Sequence, residues 1–177
     1  MASPIRISSV RSPAGFTYVG LLIAIVFFGL GSVGAARVLA SSERAERETE
    51  LLFIGNQFRQ AIASYYSAGP GASRYPEKLE DLLLDPRFPA IRRHLRKIFV
   101  DPITGKAEWG LIKAPEGGVL GVHSLSDREP LKRANFDFAD QAFEEAAKAK
   151  DRPYAYRDWQ FVFLPAGRTL APSAVKP

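Results

Sequence analysis

An apolar segment near the N-terminus is the feature of the sequence that most constrains how the chain can fold. From Phe16 to Ala36 no side chain carries a formal charge, whereas Arg6 and Arg11 precede the segment and Arg37 follows it. A helix rises about 1.5 Å per residue, so as a helix this segment would span roughly 30 Å, the thickness of the hydrocarbon core of a bilayer. The sequence therefore predicts a single membrane-spanning helix at residues 16–36.

Three interpretations of this N-terminus compete. An ordinary secretory signal would be cut after its apolar stretch, and Val38-Leu39-Ala40 offers a suitable site, although the stretch is long for that class. An uncut signal anchor would need no particular residues at the edge of the segment. A third interpretation places the cut between Gly15 and Phe16, which leaves the whole apolar segment on the mature protein.

The residues around Gly15 resemble the type IV prepilin family, which includes the pseudopilins of type II secretion. The family has a short basic leader, Gly at the cut, then Phe, Thr and a chain of apolar residues. This chain has Arg11-Ser12-Pro13-Ala14-Gly15, followed by Phe16-Thr17-Tyr18-Val19-Gly20-Leu21-Leu22. The resemblance implies that prepilin peptidase cleaves after Gly15 and that Phe16 is N-methylated. It also implies that the apolar helices of neighbouring subunits bundle in the core of a filament.

Glycines inside the apolar segment bear on this assembly. The family usually has Glu as the fifth mature residue, where it is thought to pair with the N-terminal amine of a neighbouring subunit, and this chain has Gly20 there. Tip subunits of secretion pseudopili also lack that Glu. Gly31 and Gly34 lie at helical spacing, and small residues so placed let transmembrane helices approach closely. We therefore expect Phe16, Gly20, Gly31 and Gly34 to take part in assembly.

A stripe of apolar residues continues the helix beyond the membrane segment. The stretch from Arg37 to Glu50 contains no Pro or Gly, which favours a helix. The stripe then follows at steps of three or four residues: Leu51, Ile54, Phe58, Ile62 and Tyr65. A Gly69-Pro70 pair ends it. The sequence thus predicts one helix over residues 16–66, roughly 75 Å long, whose second half belongs to a soluble domain.

Short helices and strands are predicted after the long helix. Pro76 and Pro89 are each placed to begin a short helix, and the second, ending at Ile98, would have a basic side. Strands are predicted at residues 108–112, 119–125 and 157–164, a turn at 115–118 and a helix at 137–150. The predicted fold class is α+β and pilin-like, with the long N-terminal helix packed on a small antiparallel sheet.

The middle of the chain resembles the G-type, or major-pseudopilin-like, group of type II secretion. The resemblance rests on Tyr75-Pro76, Leu79-Glu80-Asp81-Leu82-Leu83, Asp85-Pro86, Asp101-Pro102-Ile103-Thr104-Gly105 and Trp109-Gly110-Leu111-Ile112. It implies a single-pass protein of the bacterial inner membrane, with a cytoplasmic N-terminus and a periplasmic globular domain. The implied filament acts like a piston and supports protein export across the outer membrane. Its implied partners are other pseudopilins, prepilin peptidase, the inner-membrane secretion assembly platform and inner-membrane lipid.

The composition argues against several kinds of metal site, partner and enzymatic activity. The chain has no cysteine, which removes disulfides and thiolate metal sites, and His94 and His123 lie far apart, so no zinc site is expected. The net charge of +5 is scattered among acids, so nucleic acid is not an expected partner. No phosphate-binding loop or nucleophile elbow occurs, and no enzymatic activity is expected. G-type pseudopilins bind calcium in a C-terminal loop, and the resemblance would place the ligands at Asp127 and Glu129, with a solvated loop as the alternative.

The predicted organisation has five parts. They are a prepilin leader at residues 1–15, a transmembrane assembly helix at 16–36, the soluble half of the helix at 37–67, a periplasmic α+β domain at 68–165 and a loose tail at 166–177. Two other functions stay open. One is a type IV pilin of adhesion, motility or DNA-uptake fibres, which the missing cysteine disfavours because pilins commonly close a C-terminal loop with a disulfide. The other is a membrane-anchored periplasmic binding module that does not polymerise, which Gly20 keeps open.

Overall fold

The chain forms two compact units, residues Met1–Glu43 and Arg44–Pro177, in a computed structural model that describes residues 14–69, 73–149 and 152–165. Helix α1, Ala14–Ala68, contributes residues to both units. Within α1, side chains are described for residues 18–27 and from Ser42 onward. Residues 1–13 of the predicted leader and the whole predicted tail lie outside the described residues.

The second unit combines helices with one small sheet. After α1 come a 3₁₀ helix at Leu79–Leu82, β1 at Gly110–Lys113, β2 at Val119–His123, a 3₁₀ helix at Phe138–Asp140, α2 at Gln141–Lys148, a 3₁₀ helix at Tyr156–Asp158 and β3 at Phe161–Val162. The three strands form a sheet in the order β1-β2-β3, and both pairs are antiparallel. The α+β class and the small antiparallel sheet are therefore confirmed.

Strands β1 and β2 form a hairpin at the predicted turn. Gly110 pairs with His123 at its open end, and the backbone N–H of Ala114 donates to the carbonyl of Gly118 at 3.0 Å beside the turn. Gly117 and Gly118 have φ angles of +95° and +85°. L side chains rarely adopt such angles, so the two glycines let the chain reverse here.

The core lies between α1 and the sheet. The predicted stripe of α1 is confirmed as a core face: Leu51, Phe58 and Ile62 are fully buried, and Ile54 and Tyr65 nearly so. Gly55 lets α1 approach the sheet closely, since a Cβ there would overlap the ring of Phe161. Nearby, Arg59 Nε donates to the carbonyl of Val162 at 3.1 Å. The stripe thus fixes which face of the helix covers β3.

An aromatic cluster holds α2 against the same core. The ring of Phe143 stacks on Trp159 with centroids 5.8 Å apart and planes only 2° from parallel. Phe136 and Phe161 meet this pair edge to face. Trp159 Nε1 donates to the hydroxyl of Tyr154 at 2.5 Å, which satisfies the indole inside the core. The helix predicted at residues 137–150 is thereby confirmed as a 3₁₀ turn followed by α2.

The helix predicted to begin at Pro89 is wrong, because residues 89–98 form neither helix nor strand. The backbone N–H groups of His94 and Leu95 both donate to the carbonyl of Leu82, at 2.8 and 2.9 Å. The N–H of Asp85 donates to the carbonyl of Arg92 at 2.9 Å. These bonds turn the chain back toward residues 82–85. The N–H groups of His94 and Leu95 and the carbonyl of Arg92 are therefore not available for helical hydrogen bonds.

The predicted elements on either side of this loop are shorter than expected. The helix predicted after Pro76 is only the 3₁₀ helix Leu79–Leu82. The strand predicted at residues 157–164 is reduced to Phe161–Val162, since the N–H of Ala155 donates to Asp158 Oδ2 at 2.9 Å and closes a 3₁₀ turn just before it. Side-chain caps thus replace strand pairing in this part of the chain.

Candidate functional site

The side chains of residues 18–27 in the first unit form an exposed apolar surface. Every residue from Tyr18 to Phe27 is exposed, and Phe27 is 70% exposed. None of these side chains is charged. Exposed apolar surface that extends around a helix is rare on a free soluble protein and marks a site of contact with lipid or with other proteins.

The predicted processing and assembly residues all lie in α1. Gly15, Phe16, Gly31 and Gly34 have helical backbone, and the surroundings of their side chains lie outside the description. Gly20 is exposed, and a Cβ added to it would meet nothing within 4 Å. Packing among the residues that the structure describes therefore gives no reason for a glycine at this position.

The membrane span predicted at residues 16–36 is described only in part. Within the span, the structure describes the side chains of residues 18–27. In the described part of the chain, no helix combines the length and the apolar character needed to cross a membrane.

A groove with a volume of about 670 Å³ runs along α1 in the second unit. One wall is the face of α1 that carries Leu52, Phe53 and Asn56, and the other is the segment from Leu131 to Asp140. Phe53 is 62% exposed and Leu131 is 46% exposed, so much of the lining is apolar and open to solvent. The groove can accept an apolar side chain.

Two charged residues of α1 fix the far wall of the groove. Buried Glu48 accepts hydrogen bonds from the backbone N–H groups of Leu131 and Lys132, at 2.5 and 3.1 Å, and from the hydroxyl of Tyr156 at 2.7 Å. Burial, followed by the bond to Glu48, raises the pKa of the Tyr156 phenol. One turn beyond the apolar lining, Arg59 pairs with Asp140 at 2.6 Å. The groove is thus a preformed feature.

A second polar cluster closes the C-terminal end of α1. Arg87 Nη2 donates to the carbonyl of Tyr65 at 2.6 Å, and its guanidinium lies 3.6 Å from the centroid of the Tyr65 ring. The last carbonyls of a helix lack partners within the helix and carry partial negative charge, and α1 has no basic residue in its last turn. Arg87 supplies that missing cation from the following loop.

Asp85 holds Arg87 in this position. Arg87 Nε donates to Asp85 Oδ1 at 2.8 Å and Nη2 donates to Oδ2 at 2.7 Å. The Asp85 carboxylate is fully buried. Its hydrogen bonds from Arg87 are the main reason that the pKa of Asp85 lies well below its usual range, although burial acts in the opposite direction.

Ser64, His94 and Asp85 form a chain of hydrogen bonds beside Arg87. Ser64 Oγ lies 2.8 Å from His94 Nδ1, and His94 Nε2 lies 3.2 Å from Asp85 Oδ2. Hydroxyl, imidazole and carboxylate occur in this order in nucleophilic enzymes, which also need free N–H donors for an oxyanion. Ser64 lies inside α1, where the backbone N–H groups are already used by the helix. The cluster is therefore suited to fastening the loop to α1.

Each of the predicted calcium ligands pairs with an arginine. Asp127 pairs with Arg157, and Glu129 pairs with Arg133. Across the described ranges, no three His, Cys, Asp or Glu side chains are grouped so that they could hold a metal ion. His123 Nδ1 instead lies 2.8 Å from the carbonyl of Ser124. Calcium at Asp127 and Glu129 stays a prediction.

The Glu48 and Asp85 clusters are not predicted by the sequence. The partners of Glu48 lie 83 to 108 residues away along the chain, a separation that carries no periodic signal. From the sequence, Asp85 stands out only as part of the resemblance motif Asp85-Pro86. The spacing Asp85-x-Arg87 was the one local signal, since an Asp side chain often caps the N–H two residues later, as it does here at 3.0 Å.

No protein-family profile, curated protein or solved structure matches this chain.

Proposed function

We propose that this chain is a pseudopilin: a subunit of a type II secretion filament that assembles through the apolar part of α1 and supports protein export. The observation that carries the proposal is the exposed apolar surface at residues 18–27, which directly follows the prepilin-like junction Gly15-Phe16. An apolar helix that its own chain does not cover needs lipid before assembly and neighbouring helices after it. A prepilin segment meets both needs.

The second unit suits a domain on the outside of such a filament. It lacks cysteine, and buried carboxylates hold its irregular loops to α1 and to the sheet instead. Asp101 shows the same device in the resemblance motif Asp101–Gly105: Ile103 N–H donates to its Oδ1 at 2.8 Å and Ser124 Oγ donates to its Oδ2 at 2.6 Å. A firmly held surface of this kind could push a folded substrate as the filament grows.

Crosslinking through the apolar helix tests the assembly. The chain has no cysteine, so Val26→Cys in the full-length protein is a single reporter on the exposed apolar surface. In membranes of cells that contain prepilin peptidase, we expect oxidation to give a dimer, and a bifunctional amine crosslinker on the same cells to give higher oligomers. Val100→Cys, an exposed position in the second unit, is the matched control and should not give the same dimer.

Two results would count against the filament. If neither treatment gives oligomers while the peptidase is active, the non-polymerising binding module becomes the better account. If Val26→Cys and Val100→Cys crosslink equally well, the contact is collisional and the apolar surface is not an assembly surface.

A further inference from the structure

The positive charge excess of the chain is gathered in one stretch, residues 86–100, here called the basic loop. The chain has 24 basic and 19 acidic side chains, which gives a net charge of +5. Five of the basic residues and none of the acidic ones lie in the basic loop, which leaves 19 of each elsewhere. A charge that is mild when averaged over the chain is therefore strong at one place on its surface.

Four of the five basic side chains have no carboxylate to neutralise them. These four, here called the exposed cations, are open to solvent, and none forms an ion pair with a residue that the structure describes: Arg92, Arg93, Arg96 and Lys97. Arg87 differs, because Asp85 and the carbonyl of Tyr65 already hold its guanidinium. Like charges this close in the sequence repel one another, and an anion that bridges them relieves the repulsion.

The backbone that carries the exposed cations is ordered. The N–H groups of His94 and Leu95 donate to the carbonyl of Leu82, and the carbonyl of Arg92 accepts from the N–H of Asp85. The side chain of Leu95 is buried in the core. A partner therefore meets cations on a fixed backbone, so that mainly side-chain entropy is lost on binding.

Two aromatic rings hold two of the exposed cations in position. The guanidinium carbon of Arg92 lies 4.6 Å from the centroid of the Phe88 ring, and Lys97 Nζ lies 5.4 Å from the centroid of the Phe99 ring. Both distances are within the range of a cation–π contact. Both rings are also half-buried. The basic loop thus offers charge to a partner, and no exposed aromatic face.

We propose that the exposed cations bind the phosphate backbone of double-stranded DNA without selecting a base sequence. DNA carries one negative charge per about 1.7 Å of its axis, so a short loop faces several phosphates at once. Charge alone supplies essentially all of the affinity in non-specific DNA binding. Single-stranded DNA is held largely by stacking of its bases on aromatic rings, which this loop does not offer. The net charge of the whole chain gives no reason to expect DNA, whereas its concentration in one ordered loop does.

Two other acidic surfaces suit the basic loop less well. A protein segment stays at an anionic bilayer when apolar side chains enter the bilayer as well. Among the large apolar side chains of residues 86–100, all of which the structure describes, only Ile91 and Val100 are mostly exposed. A protein partner needs an interface centre that is depleted of charge, whereas adjacent cations occupy the centre of this surface.

The proposal goes beyond the proposed function and does not rest on it. A single copy offers four cations and binds weakly. A filament would present the same loop at regular intervals, and one DNA molecule that contacts several copies would be held far more tightly.

The salt dependence of DNA binding tests the proposal. Full-length protein in a neutral detergent is titrated into a short fluorescent duplex of arbitrary sequence, and the anisotropy is followed. Four phosphate contacts predict a slope of log K against log salt of about −3.6, so a fourfold rise in salt should weaken binding about a hundredfold. In Arg93→Gln/Arg96→Gln the slope should fall to about half, and the same rise in salt should weaken binding only about tenfold.

A matched variant separates the basic loop from net charge. Arg47→Gln/Lys113→Gln removes the same charge from exposed positions elsewhere in the second unit, and should keep the slope of wild type. All four substituted residues are exposed, so thermal unfolding should be unchanged in both variants. Equal losses in the two double variants would show that binding follows net charge, and would overturn the assignment to the basic loop. So would a wild-type slope near zero.

Other acidic partners are tested with the same proteins. Phosphatidylserine vesicles and polyglutamate take the place of the duplex. If wild type binds either of them more tightly than DNA, and Arg93→Gln/Arg96→Gln abolishes that binding, the basic loop serves a membrane or an acidic protein and the DNA proposal is wrong. The Val26→Cys crosslink does not involve the basic loop, so it reports on the filament whichever result is obtained.

Discussion

Single buried carboxylates hold the irregular loops of the second unit. Glu48, Asp85 and Asp101 are all buried, and each accepts at least two hydrogen bonds from groups of a loop or of the sheet. Hydrogen bonds to a charged acceptor are stronger than those between neutral groups, and an ordered loop needs such bonds when no disulfide holds it. Substitutions at these residues therefore test how the domain is held together.

Asp85 should make stability depend on pH in the acidic range. Its pKa in the folded protein is lowered, chiefly by Arg87, whereas an unfolded Asp titrates near about 3.9. The stabilisation is therefore fully present above the unfolded pKa and is lost as the pH falls through that value toward the folded one. Asp85→Asn should lower the free energy of unfolding by about 3 kcal/mol at pH 7, because it leaves Arg87 without its counter-charge.

Urea unfolding of the full-length chain in detergent, followed by circular dichroism between pH 7 and pH 3, measures this effect. The difference between wild type and Asp85→Asn should shrink toward the acidic end. The control Asp137→Asn, at an exposed carboxylate, should stay within about 0.5 kcal/mol of wild type throughout. A difference that does not change with pH would show that the Asp85–Arg87 pair is not responsible.

Glu48 should hold the groove wall at Leu131 and Lys132. In Glu48→Gln one carboxylate oxygen becomes an NH₂ group that faces N–H donors, so the free energy of unfolding should fall by about 1–3 kcal/mol. Hydrogen exchange at the two amides should accelerate at the same time. Glu50→Gln, two residues along the same helix and exposed, should change neither quantity. Unchanged exchange at Leu131 in Glu48→Gln would contradict the role given to Glu48.

At the scale of elements, the hairpin offers a matched pair of glycines. Gly117 and Gly118 both have positive φ, but a Cβ at Gly117 meets nothing within 4 Å, whereas one at Gly118 meets Tyr75 Cβ at 2.7 Å and the backbone oxygens of Tyr75 and Pro76 at 3.1 Å. The hairpin is also bonded to that segment, from Val119 N–H to the carbonyl of Pro76 at 2.6 Å.

Gly117→Ala should therefore cost only the conformational strain, about 1–2 kcal/mol, and Gly118→Ala clearly more. Thermal unfolding of the two full-length variants side by side measures the difference. Equal losses of stability would mean that the contact between the turn and residues 75–76 contributes nothing.

At this scale, the elements that the sequence predicts correctly are those whose residues follow a local pattern. The stripe from Leu51 to Tyr65 has the helical period and proves to be the core face, and the glycines of the hairpin turn have the required backbone. The spacing of Ile91, Leu95 and Ile98 also has the helical period, yet this segment is irregular. Its backbone bonds to Leu82, and side chains from Asp85 and Ser64, compete with the local pattern. A periodic pattern of apolar residues carries no information about hydrogen-bond partners that are distant in the sequence.

At the scale of the whole molecule, the two units divide the proposed work. In the proposed function, the first unit would assemble through its apolar helix surface, and the second, with its packed α+β core, would be the outer domain. The sequence does not predict the groove, because Phe53 and Leu131 line it together only when residues 131–140 are fastened to α1. The processing site, in contrast, is a local pattern of residues, so the sequence alone predicts it.

The most direct test of the whole account is the mass of the mature N-terminal peptide. We expect the protein purified from a bacterium with an active prepilin peptidase to begin at N-methylated Phe16. Gly15→Val should leave the chain uncut, whereas Ala14→Val should be processed normally. A chain that still begins at Met1, or one that begins just after Ala40, would contradict the prepilin assignment and the filament that depends on it.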